Sequence, residues 1–372
     1  MITDSYTGTN RRRYSLSESL HIDAPLMIGL LLTAALGLVI LYSAGNQNEA
    51  ILFRQLTRLA VAFGIMVMIA QIPPQQLRFW TPWLFAIGII LLIAVLTFGE
   101  GKGATRWLDL GFVRFQPSEI IKITLPMVLA WYLADSPLPP KPSRVIVCLI
   151  LIVVPTLLIA RQPDLGTSLV IASSGIFVML LSGIRWRFIF SAMFAGIAAA
   201  PLLWYFMHDY QRQRVLTFLN PEQDLLGSGW HIVQSKIAIG SGGVYGKGWL
   251  NGTQSHLEFL PERSTDFIFA VFGEEFGLMG ILVLLTLYLF IIARSLYISA
   301  QAQNTFGRLV GGSIAITFFF NIFVNIGMVT GLLPVVGLPL PLISYGGTSM
   351  VTLMIAFGIL MSLHTHRKLL SQ

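Results

Sequence analysis

Apolar runs of about 16–27 residues recur along almost the whole chain, and each can cross a hydrocarbon core about 30 Å thick as a helix. That one feature removes most folds. Backbone polar groups in lipid must be satisfied within the protein, so only helices and closed barrels span a bilayer. The alternating ten-residue strands of a barrel are missing. Composition agrees, because 55% of the residues are hydrophobic and only 11% charged, roughly half the charge of a soluble chain. The expected fold class is an all-α, polytopic integral membrane protein.

About ten transmembrane helices are expected, near 25–43, 56–71, 80–98, 119–134, 145–160, 167–183, 188–207, 266–293, 308–330 and 345–364. The first is expected to be retained. Arg11, Arg12 and Arg13 precede a polar stretch, and the apolar run after it is longer than the core of a signal peptide. An even number of spans puts both termini on one side. With that side cytoplasmic, it holds twelve basic residues against four acidic ones, and each short loop there is basic. The formal charge of +7 is therefore a topology signal and not the mark of a nucleic-acid partner. A bacterial cytoplasmic (inner) membrane is the natural setting. The expected organisation is a cytoplasmic tail over 1–20 and one transmembrane domain over 21–372. The single cysteine, Cys148, allows no intrachain disulfide.

The outer face carries two segments longer than a connection needs, about 99–118 and about 208–265, the latter a large periplasmic loop before the eighth helix. Within it, Trp230–Ile239 is expected to form a short helix with Ile232, Val233, Ile237 and Ala238 inward. The glycines at 240, 242 and 243 are expected to end it.

Asp266 stands where this polar loop meets an apolar run that lasts to Ile292. As an N-cap it would accept first-turn amides. As a base it would take a proton from a hydroxyl presented at the bilayer surface. Glu119 and Lys122 are i,i+3 neighbours behind Pro117, either a self-neutralising pair or the lining of a polar cavity. Glu274 and Glu275 lie on the apolar run, and Glu274, the nearer to the face of Asp266, either shares its cavity or makes structural packing contacts. Outer basic residues, among them Arg106, Arg212, Arg214, Lys236 and Lys247, suit a polyanionic lipid head such as a pyrophosphate. The uncharged stretch Gly331–Gly347, with prolines at 334, 339 and 341, cannot be one helix; it is either a tight connector or a re-entrant wall. Nucleotide-binding glycine loops, paired-cysteine metal sites and serine elbows are missing from the sequence.

Six stretches carry a resemblance: Arg106-Trp107-Leu108-Asp109-Leu110-Gly111, Arg114 through Lys122, Gln162-Pro163-Asp164-Leu165-Gly166-Thr167, Gln234 through Gly243, Leu260 through Phe269, and Gly331 through Gly347. In this order they resemble the SEDS family (shape, elongation, division and sporulation), over nearly the whole chain from about residue 20. The resemblance implies a peptidoglycan glycosyltransferase that polymerises lipid II outside the cytoplasmic membrane. It would work beside a class B penicillin-binding transpeptidase and other membrane proteins of the elongation complex. The family's essential aspartate falls on Asp266, its Glu/Lys pair on Glu119 and Lys122, and its arginine before Trp-Leu-Asp on Arg106. Asp164, Arg212, Arg214 and Lys236 are the further candidates for binding or supporting substrate. In the expected reaction Asp266 deprotonates an acceptor sugar hydroxyl. Undecaprenyl pyrophosphate leaves, its charge held by outer cations or by a divalent metal such as Mg²⁺. A lipid II flippase, or a non-catalytic scaffold of the wall-building complex, are the rival readings.

Overall fold

The computed structural model describes residues 20–98, 106–109, 114–162, 164–191, 194, 198, 204–205, 212, 216–218, 220, 228–253 and 262–366. The helices are α1 (Ala24–Ala44), α2 (Glu49–Ala70), α3 (Pro74–Phe98), α4 (Ser118–Ala134), α5 (Pro142–Ala160), α6 (Leu165–Leu181), α7 (Ser228–Gly242), α8 (Ile268–Ala300), α9 (Thr305–Val329) and α10 (Thr348–Thr365). Seven of them are long and apolar enough to cross a membrane: α1, α2, α3, α5, α8, α9 and α10. The expected span at 188–207 lies largely outside the described residues. One departure from an all-helical chain is a two-residue antiparallel ribbon, β1 (Leu108–Asp109) with β2 (Arg114–Phe115), which pairs Leu108 with Phe115.

Side chains set the helix starts. Asp23, Asn48, Asp164 and Asn304 each accept a first-turn amide, capping α1, α2, α6 and α9. Along α3 the buried residues Leu77, Thr81, Phe85, Gly88, Leu92 and Val95 form one stripe at helical spacing. Phe79, Trp83, Ile87 and Ile90 on its other side are exposed, a face made for lipid rather than water.

Two apolar clusters build the interior. One joins α1, α2 and α8 with Leu340, Leu342 and Ile343. The other joins α3, α4, α5 and α6. Helices α9 and α10 belong to both: Phe318 and Phe357 face the first cluster, Leu309 and Ile359 the second. Between the clusters lies a cavity of about 110 Å³.

Helix α8 has 33 residues, about 50 Å at 1.5 Å per residue, too long for one crossing. It is in fact two helices. Gly277 takes φ 60° and ψ −161°, a backbone state open essentially to glycine alone. The polar groups freed there are paired by the segment after α7. Glu274 O accepts from Lys247 N and Glu275 O from Gly248 N, while Leu278 N and Met279 N donate to Gly243 O and Val244 O, all at 3.0 Å. This satisfies the helix ends that a break exposes.

Helix α7 is longer than expected, because the chain stays helical to Gly242 and turns only at Gly243. Ile232 and Ala238 are buried as expected, but Ile237 is 46% exposed. Ser235, buried and donating to Val329 O at 2.7 Å, takes the inward position instead.

Candidate active site

Asp266 sits on a turn over 262–267, immediately before the first half of α8. It is not the helix cap: Phe267 holds that position and supplies no side-chain cap. The turn is instead fastened to the Gly331–Gly347 segment. Asn325, fully buried on α9, donates to Asp266 O at 3.0 Å and to Leu338 O at 2.6 Å. Ser344 Oγ donates to Thr265 O at 2.6 Å and accepts from Leu340 N at 2.7 Å. Tyr345 N donates to Ser264 O at 2.8 Å. The proline-rich segment is thus a packed, non-helical wall whose Leu338, Leu340, Ser344 and Tyr345 backbone groups bond to protein.

Gly337 (φ 75°) faces the carboxylate: a Cβ there would stand 3.4 Å from Asp266 Oδ2. Asp266 is partly exposed, whereas Phe267 and the residues after it are buried. One side of the carboxylate therefore faces the wall, and the residue keeps accessible surface. His231 of α7 stacks obliquely on Phe267, ring centres 5.6 Å apart, so α7 lies over the same turn.

The same wall meets the other candidates. A Cβ on Gly166 would stand 2.5 Å from Val336 O, so the start of α6 abuts the residue preceding Gly337. At that start Asp164 Oδ1 accepts from Thr167 N at 3.2 Å and Oδ2 from Gln116 Nε2 at 3.1 Å. Arg106 joins it, with Nη1 3.9 Å from Asp164 Oδ2 and Nε donating to Gln162 O at 3.4 Å. Glu119 and Lys122 form a 2.7 Å ion pair in the first turn of α4, and both line the cavity. Glu119 Oε2 is buried there without a hydrogen-bond partner, as is Thr317 Oγ1 on the facing helix. Leu338, Leu340 and Ser344 close the cavity from the wall side. The wall therefore has the Glu119–Lys122 cavity along one part and the Asp266 carboxylate along another.

Other candidates lie elsewhere. The Arg212 guanidinium donates to the backbone oxygens of Trp204 (3.1 Å) and Tyr205 (2.7 Å). Lys236 is exposed on α7 and lies across Gly331, at the edge of the wall. Arg214 lies outside the described residues. Glu274 does not share a cavity with Asp266. Its fully buried Oε1 accepts from Lys247 Nζ at 2.7 Å and from Thr253 N and Oγ1 at 2.9 and 3.0 Å. Glu275 accepts from Ser43 of α1. Both glutamates hold the broken helix to its neighbours.

Residues that sequence reasoning passed over include Asn325, Gly337, Asn321 and Arg58. Asn321 and Asn325 are i,i+4 on an otherwise apolar helix, a signal for one shared inward face.

Among the described residues no three His, Cys, Asp or Glu side chains converge on a metal position. A Mg²⁺ ion carried by substrate phosphates needs only one or two carboxylates beside water, and Asp266 fits that lesser demand.

The FTSW_RODA_SPOVE family model, described as "Cell cycle protein", matches residues 20–369. The chain belongs to the FtsW/RodA/SpoVE family. It is the SEDS family of the sequence resemblance. The peptidoglycan glycosyltransferase MrdB of Escherichia coli K12 is 53% identical over 365 residues, covering 98% of this chain and 99% of that one. The peptidoglycan glycosyltransferase RodA of Treponema pallidum is 31% identical, covering 93% and 98%. Among solved structures, a chain of a peptidoglycan synthase complex that coordinates polymerization and crosslinking superimposes with a TM-score of 0.81 at 29% identity, covering 93% and 99%. The rod shape determining protein RodA of Thermus thermophilus gives 0.71 at 27% identity, covering 93% and 98%. In this FtsW/RodA/SpoVE member, as in those folds, the chain is a multi-pass membrane protein.

Proposed function

We propose that this chain is a peptidoglycan glycosyltransferase that polymerises lipid II into β-1,4 glycan strands, with Asp266 as its general base. The observation that carries the reading is a partly exposed aspartate whose turn is held by three bonds to its backbone oxygens, one from Asn325 of α9 and two from the Gly331–Gly347 wall. Rigid placement is what a base needs, since a proton is abstracted only within hydrogen-bond reach. Relatives named for this activity, 53% identical over nearly the full chain, support it.

In the reaction, Asp266 accepts the proton of the acceptor's 4-hydroxyl. The oxygen bonds to the anomeric carbon of the lipid-linked muramic acid of the growing strand. The bond from that carbon to the pyrophosphate oxygen breaks, and undecaprenyl pyrophosphate leaves with the electron pair. Attack opposite the leaving group converts the α-link to β. Arg106, beside Asp164 and Gln116, and Lys122, beside Glu119, supply positive charge along the wall. Arg212, Arg214 and Lys236 are the outer supplements to it.

The topology that fits is ten spans with both termini in the cytoplasm, a tail over 1–20, one domain over 21–372, and Asp266 on the outer side of the bacterial inner membrane. The partner that fits is a class B penicillin-binding transpeptidase among the elongation-complex proteins, since a polymer needs crosslinking where it emerges. Vesicles holding the protein and fluorescent lipid II test the reading. Glycan made by the wild type and lost in Asp266→Asn supports it. Lipid movement without glycan favours a flippase, and neither favours a scaffold.

A further inference from the structure

Arg58 lies nine residues into α2, about 13 Å along its axis, where the polar first half of the helix gives way to the wholly apolar run Leu59–Ala70. A guanidinium at such depth is costly and marks a functional group unless a counter-charge explains it. The ion pairs among the described residues involve Arg78, Arg106, Lys122, Lys247, Arg294 and His364, and Arg58 is in none of them.

Arg54, one turn earlier on the same flank, folds back on its own helix, with Nε donating to Ala50 O at 3.1 Å. Arg58 instead turns into the protein. Its Cζ stands 4.5 Å from the centre of the Tyr345 ring, and its Nε would be 3.7 Å from a Cβ on Gly347. A ring face steadies a cation but accepts none of the in-plane bonds that the five guanidinium N–H groups can make.

The place where it is held matters. Tyr345 N donates to Ser264 O at 2.8 Å, two residues before Asp266. Gln55, three residues before Arg58 and buried, donates to Ser344 O at 3.3 Å, and Ser344 in turn holds Thr265 O. The Arg58 helix and the Asp266 turn are therefore both held by the same few wall residues, Ser344 and Tyr345. The geometry points to Arg58 as a binding residue for a lipid phosphate that lies beside the Asp266 turn. A planar fork of donors matches a phosphate's oxygens two at a time, and phosphates are the anions a bilayer offers at this depth. The inference rests on the glycosyltransferase reading for its consequence, though not for its geometry. The phosphate has two sources, the diphosphate of the lipid-linked sugar or the headgroup of an anionic phospholipid.

The test uses the full chain in vesicles of phosphatidylcholine alone, and of phosphatidylcholine with phosphatidylglycerol, with lipid II as substrate. If the substrate diphosphate is the ligand, Arg58→Gln raises KM roughly tenfold or more in both vesicles while kcat holds, and Arg58→Lys recovers part of the loss. If the phospholipid is the ligand, the wild type gains activity with phosphatidylglycerol and Arg58→Gln does not. Unchanged KM and unchanged lipid dependence in Arg58→Gln overturn the inference. So does a fall in kcat that is equal in both vesicles with KM unchanged. Where Arg58→Gln fails to fold, Arg58→Lys and Tyr345→Leu carry the same readouts, with an increased KM expected and an unchanged one overturning it. A wild type that makes no glycan sinks the glycosyltransferase reading instead. Fluorescent lipid II titrated against wild type and Arg58→Gln then still decides the binding role, equal affinity in both vesicles overturning it.

Discussion

Replacing Asn325 by Leu tests whether the wall positions the base. The side chains are of similar size, so the change removes donors more than volume. Asn325 Nδ2 serves two backbone oxygens, a part-buried one of Asp266 at 3.0 Å and a buried one of Leu338 at 2.6 Å. Leaving a buried acceptor unpaired costs about 1–3 kcal/mol, so two lost bonds cost roughly 2–6 kcal/mol. Asn325 Oδ1 is itself buried without a partner, and its removal gives part of that back. The net expectation is about 2–4 kcal/mol of destabilisation. The functional effect is separate. With its backbone tie gone, Asp266 shifts against the wall, and a displacement near 1 Å can cost up to roughly a hundredfold in rate. The assay pairs thermal unfolding in detergent with lipid II polymerisation in vesicles. The expected result is a lower midpoint and at least tenfold slower polymerisation, measured below the new midpoint. Asn325→Leu with unchanged midpoint and rate would refute the idea that the wall sets the carboxylate's position.

Four other outcomes follow from the geometry. Gly337→Ala forces a side chain into a φ of 75° and against Asp266 Oδ2, so polymerisation falls while unfolding shifts by only about 1–2 kcal/mol. Breaking the buried Glu119–Lys122 pair by Lys122→Met strands a charge and costs about 3–5 kcal/mol, whereas the double change Glu119→Gln, Lys122→Met is milder, as unfolding curves would register. Gly277→Ala places a Cβ 2.3 Å from Gly246 N in a backbone state reserved for glycine, and the yield of folded protein drops sharply on size-exclusion chromatography. Burial pushes the Asp23 carboxyl up, but bonds from Arg294 and the Leu26 amide outweigh it and leave its pKa lowered. A depressed carboxyl contributes stability above its unfolded pKa, and that contribution is lost as pH falls through the folded one. The stability deficit of Asp23→Asn is therefore present at neutral pH and shrinks in acid below pH about 4, as unfolding midpoints across pH would reveal.

The helical class and the placement of most described helices were legible because long apolar runs leave little choice of structure. Ends were less so. Helix α2 starts at Glu49, whereas the expected span began near 56, because Asn48 caps the chain there and the helix runs on ahead of its apolar stretch. The break at Gly277 had no local sign. Glu-Glu-Phe-Gly continues a helical pattern, and the pairing that permits the break comes from residues 243–248, some thirty positions earlier. The same non-local contact redirected Glu274 from Asp266 to Lys247. Asp266 was legible as a charge at a polar-to-apolar boundary, but its three ties come from α9 and the Gly331–Gly347 wall, which no spacing within the loop encodes.

The most direct measurement is the rate of glycan formation by the purified protein in vesicles, wild type against Asp266→Asn, with binding of fluorescent lipid II followed in parallel. The account predicts that the variant binds the lipid with near wild-type affinity and makes no strand. Strand formation by the variant at the wild-type rate would contradict it.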